Sequence, residues 1–116
     1  MTVKTTFPTK EDEVRIRERD KVCVYCGEEF DVFSTTKKST REHLNHRKDW
    51  DSVRDYYQKG KDVAEIFAIC CQSCNSRRKD KPLNEWFKSK YCIKRGIDYG
   101  AVADVVKKYI DRYENE

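Results

Sequence analysis

No stretch of the 116-residue chain is apolar enough to span a bilayer. The opening MTVKTTFPTKEDE also lacks the apolar core of a secretory signal, so a reducing, cytoplasmic setting is expected. Disulfides are disfavoured there, and closely spaced cysteines point to a metal instead. Internal repeats and low-complexity segments are missing too, and the length leaves one domain over 1–116 as the expectation. Apolar residues are sparse at 37%, against 40% charged, which implies a thin core. Ordering the backbone costs about 1–2 kcal/mol per residue, so such a chain needs a staple, covalent or metallic. Histidine is scarce. The only two, His43 and His46, sit in Glu-His-Leu-Asn-His rather than His-Glu-x-x-His, which excludes a zincin.

Cysteine, by contrast, is plentiful and patterned. Cys23-x2-Cys26 and Cys71-x2-Cys74 form two pairs, each able to aim two thiolates at one centre from a short turn. Two such turns complete the tetrahedron that zinc takes in closed structural sites. Buried cysteines acting as small hydrophobes are the plain alternative, and an iron–sulfur cluster is a weaker rival. Cys70 lies four residues before Cys74, but Cys71 reproduces the spacing of the first pair and is preferred. Cys70 is then expected in the core, and Cys92 beside Trp86.

Around the cysteines the pattern predicts a small α+β domain. A first helix is expected over roughly 9–19, with Thr9 as N-cap. A knuckle follows at Cys23–Gly27, where Gly27 can take positive φ. Phe30–Phe33 and Ser39–Leu44 read as two strands of a hairpin closed by Thr35–Lys38. Trp50–Tyr57 reads as a short helix stopping near Gly60. Ile66–Ile69 is an apolar run leading into the cysteines, and a helix begins at Gln72. Pro82 opens another, with Leu83, Trp86, Phe87 and Tyr91 at core spacing. A last helix, about 98–114, is a packing extension.

Charge is unevenly spread. The net is +4, yet Gln72–Arg95 carries eight Lys or Arg against Asp80 and Glu85. That excess suits a polyanion, although an ordinary solvated helix face reads the same way. Glu42-His43 adds chemistry. An imidazole with its ordinary pKa near 6.5 can take a proton from water, and a carboxylate beside it can hold a hard cation. Adjacent strand residues point to opposite faces, so the two share a site only where the strand ends or bends. His46 reads as a surface loop residue, with a second metal ligand as the alternative.

Taken in order, Cys23-Val-Tyr-Cys26-Gly27, Arg41-Glu42-His43-Leu44 and Cys71-Gln-Ser-Cys74-Asn75-Ser-Arg-Arg-Lys79 resemble the HNH endonuclease family. The likeness spans about 15–88. It implies a zinc-stapled ββα-metal core flanked by N- and C-terminal helices. It further implies His43 as general base, and Glu42 and Asn75 as ligands of a catalytic Mg²⁺ or Mn²⁺. Arg77, Arg78, Lys79 and Lys81 match the stretch expected to hold the DNA backbone. The implied activity is metal-dependent hydrolysis of DNA, double-stranded by expectation, leaving 5′-phosphate and 3′-hydroxyl ends, with a homodimer or a larger complex as an option. One departure stands out: the position of the family's central Asn, which braces the active-site loop, is Ile66. Two further readings stay open, a non-catalytic zinc module that binds nucleic acid and a zinc domain that binds protein.

Overall fold

A computed structural model describes residues 9–44, 62–79 and 81–114. Five α-helices and a two-stranded antiparallel sheet make an α+β fold among these residues. None of the helices is long and apolar enough to cross a membrane.

Helix α1 spans Lys10–Arg19. Thr9 caps it: its hydroxyl accepts from the Asp12 amide, and the Asp12 carboxylate accepts from the Thr9 amide. This reciprocal pair satisfies two amides that the first turn leaves open. Only Ile16 of α1 is buried, as expected for a helix so rich in charge.

Strand β1 is Ser39–His43 and strand β2 is Phe67–Cys71. They pair antiparallel with Ser39 opposite Cys71 and His43 opposite Phe67. The expected hairpin between Phe30–Phe33 and Ser39–Leu44 is therefore corrected. After a single bridge between Val22 and Glu29, the chain turns at Asp31, whose carboxylate accepts from the Phe33 amide. That local side-chain bond competes with strand pairing and wins. Val32 and Phe33 are left exposed. The partner that β1 takes instead is the apolar run the sequence had marked. All five residues of β2 are buried, so the strand needs cover on both faces.

Helix α2, Gln72–Arg78, follows β2 directly and completes a β-β-α succession. Its first two amides are met by the carbonyls of Lys38 and Thr36. A 3₁₀ turn at Val63–Glu65, a single turn α3 (Leu83–Trp86), α4 (Lys90–Arg95) and α5 (Asp104–Tyr113) complete the described elements. The Glu114 carboxylate, one residue past α5, accepts from the amides of Leu83 and Asn84 and caps α3. The core runs from Ile16 through Val24, Leu44 and Ile69 to Trp86, Val106 and Ile110. His46 and the helix expected at Trp50–Tyr57 lie outside the described residues.

Candidate metal centre

The knuckle at Cys23 and the turn from β2 into α2 are built alike. In each, the sulfur of the first cysteine accepts from the amide of the second, Cys26 to Cys23 and Cys74 to Cys71, both at 3.5 Å. Gly27 takes φ +75°, as its place in the knuckle requires. The Val24 amide of the knuckle donates to the Ile69 carbonyl of β2 at 3.2 Å, which holds the first turn against the strand that leads into the second. One sulfur from each of the four cysteines lies within 4.8 Å of the others.

A tetrahedral zinc with Zn–S bonds near 2.3 Å would separate its sulfurs by about 3.8 Å. Cys26 Sγ and Cys71 Sγ stand 3.9 Å apart. The donor set, its burial and its spacing fit a metal ion held by Cys23, Cys26, Cys71 and Cys74. The protons of the four thiols compete. Hydrogen bonds from Cys26, Cys71 and Cys74 push the Cys23 thiol far down, while Cys23, Cys26 and Cys71 push Cys74 far up. Four sulfurs this close cannot all ionise unless a cation lies among them. Cys70 points away, fully buried, with its sulfur 3.6 Å from the Thr40 hydroxyl. Cys92 is buried as well, so both stay apart from the cluster.

The rest of the expected site gathers on α2 and β1. Asn75, next after the last cysteine, donates from Nδ2 to Thr40 Oγ1 (3.0 Å) and to the Arg41 carbonyl (3.1 Å). Its Oδ1 accepts no hydrogen bond among the described residues. One turn on, Arg78 reaches Glu42. Thr40 and Glu42 thus share the β1 face that α2 covers. Arg41, on the other face, pairs with Glu13 of α1. His43 is the last residue of β1 and sets its ring edge-on to Phe67, 4.5 Å between centroids. Alternation puts it on the Arg41 face, two residues and about 7 Å along the strand from the Asn75 anchor at Arg41, so it meets the Glu42 side only at the strand end.

One expectation needs correction, and a second is narrowed. Arg78 is no surface cation for a DNA backbone. It is 2% exposed, and its guanidinium donates to Glu42, to Tyr25 Oη and to the carbonyls of His43, Leu44 and Lys81. Glu42 is buried as well, with one of its two carboxylate oxygens engaged. It is 4% exposed, and its Oε2 accepts from Tyr25 Oη (2.6 Å) and Arg78 Nη1 (3.2 Å). Oε1 alone has no partner among the described residues. Burial pushes the Glu42 carboxyl up, and the Arg78 charge pulls against it. Arg78 itself is held cationic despite its burial, by Tyr25 and Glu42. Both groups shift upward, which favours a neutral Glu42 but a charged Arg78. The hydrogen-bonded contact decides for a charged pair, because guanidinium does not lose its proton in proteins.

Sequence reasoning had missed this Tyr25–Glu42–Arg78 network. The signal was the helical spacing of Cys74, Asn75 and Arg78, which puts all three on one side of α2. Arg77, Lys79 and Lys81 are exposed, as expected. Ile66 is buried and braces the end of β1 through its backbone, accepting from the Leu44 amide at 2.9 Å. Comparison of the chain with family models, with curated proteins and with solved structures gives no match.

Proposed function

We propose that this chain is an HNH-type nuclease, a zinc-stapled domain that hydrolyses phosphodiester bonds in DNA. The observation that carries the reading is the clamp on Asn75. Its amide nitrogen is tied to β1 beside the four cysteines, which turns Oδ1 into a fixed acceptor on the side of β1 that bears Glu42. Zinc at Cys23, Cys26, Cys71 and Cys74 would set the pitch of α2 and so the position of Asn75. Asn75 Oδ1 and Glu42 Oε1 are hard oxygen donors suited to Mg²⁺ or Mn²⁺. When bound, that cation would supply charge stabilisation at the phosphate. His43, at the strand end, takes the proton from the attacking water. A positioned base of this kind is worth about 10²–10⁴-fold in rate. Exposed Arg77, Lys79 and Lys81 meet the backbone and hold the phosphodiester against β1.

Plasmid nicking tests this. Zinc-loaded protein with Mg²⁺ or Mn²⁺ should relax supercoiled DNA, and His43→Ala should lose that activity while keeping its zinc and its melting temperature. Cleavage by His43→Ala at the wild-type rate would overturn the assignment. A second reading draws on the Glu42–Arg78 pair, because a carboxylate already matched by a buried guanidinium has less to offer a cation. It describes a zinc module that binds nucleic acid without cutting it, and it predicts retention of duplex DNA with no nicking under any divalent ion.

A further inference from the structure

Eight arginines lie among the described residues, and six of them meet a carboxylate. Arg15 pairs with Asp12 and Asp62, Arg17 with Glu13, Arg19 with Asp20, Arg41 with Glu13, Arg78 with Glu42 and Arg112 with Glu65. The remaining two, Arg77 and Arg95, are exposed and have no acidic partner among the described residues. They are 18 residues apart in sequence, yet both guanidiniums turn to the same ring. Arg95 Cζ sits 3.8 Å from the centroid of Tyr91, and Arg77 Cζ sits 5.7 Å from it.

Tyr91 is firmly seated. Its ring stacks on buried Trp86, with centroids 6.0 Å apart and planes at 26°. Its hydroxyl lies 2.9 Å from Ser73 Oγ and 3.3 Å from Cys74 Sγ, so it reaches a sulfur of the metal cluster. A guanidinium stacked on an aromatic face keeps its in-plane N–H fork free and loses less freedom when it binds. That fork matches phosphate in two-point contact. A helix α4 whose outward residues include Lys90 and Lys94 adds positive field around the pair.

We propose that Arg77 and Arg95, mounted on the ring of Tyr91, form a phosphate-gripping pair that holds a nucleic-acid backbone beside the metal-binding end of α2. The inference rests on the nuclease reading for its partner, and it extends the contact surface onto α4. The pair takes the role that Arg78 gives up by going inward.

Anisotropy titration of a short fluorescein-labelled DNA duplex, repeated over a range of salt concentrations in the His43→Ala background, tests it. Each phosphate contact removed should flatten the slope of log K against log salt by about 0.9. Arg77→Gln and Arg95→Gln should each do so, and the double variant should lose about twice as much, with zinc content unchanged. Lys108→Gln, on α5, should change nothing. If the parent protein binds the duplex and the double variant keeps its slope, this inference falls while the nuclease reading stands. If the parent protein binds no duplex at all, both fall.

Discussion

Cys70 and Cys71 are neighbours in sequence with opposite fates. Alternation along β2 sends one sulfur to Thr40 and the core and the other to the four-cysteine cluster. Cys71→Ala should therefore strip the metal and unfold the domain, whereas Cys70→Ala should retain one equivalent of zinc with only a modest drop in melting temperature. Elemental analysis alongside thermal melts separates the two. Glu42 and Arg78 offer a sharper energetic case. Removing one partner of a buried ion pair leaves the other uncompensated, at about 3–5 kcal/mol. Glu42→Gln should cost that much in denaturant unfolding, and pairing Glu42→Leu with Arg78→Met should recover most of it. The cysteines were legible in the sequence because Cys-x2-Cys is a local pattern with one geometric meaning. Arg78 was not, because its carboxylate lies 36 residues away and a run of cations reads as surface.

At the scale of elements, the first helix was readable because its start signal is entirely local. Burial works against ionised Asp12, but hydrogen bonds from Arg15 and Thr9 outweigh it and hold the carboxyl below the usual range. It is then a charged cap at neutral pH, where the positive end of the helix favours it. Thr9→Ala should cost about 1 kcal/mol in urea unfolding at neutral pH, and Thr9→Ser should restore it. The partner of β1 was misread for the opposite reason. A hairpin is the cheapest inference from two nearby apolar segments, but Asp31 closes its own turn and β2 offers a fully buried strand. Which strand pairs with which is decided by burial across the fold, and the intervening loop hides it from a local reading.

For the molecule as a whole, the composition already pointed to a fold that its apolar residues support only thinly. Four sulfurs within 4.8 Å show where the missing stability is placed. They join the knuckle, β2 and α2. The Tyr25–Glu42–Arg78 network then ties two of these regions, the knuckle and α2, to β1. Site and scaffold are one construction here. Asn75 follows a ligand cysteine directly, and His43 ends the strand to which Asn75 is bound. Everything proposed for the phosphodiester depends on that metal being present and sulfur-bound. X-ray absorption at the zinc edge of the purified protein measures this most directly. The account predicts one zinc per chain with four sulfur neighbours at about 2.3 Å, and cooperative unfolding once a strong chelator removes it. A shell containing nitrogen or oxygen, or a metal-free protein that melts as sharply as the native one, would contradict it.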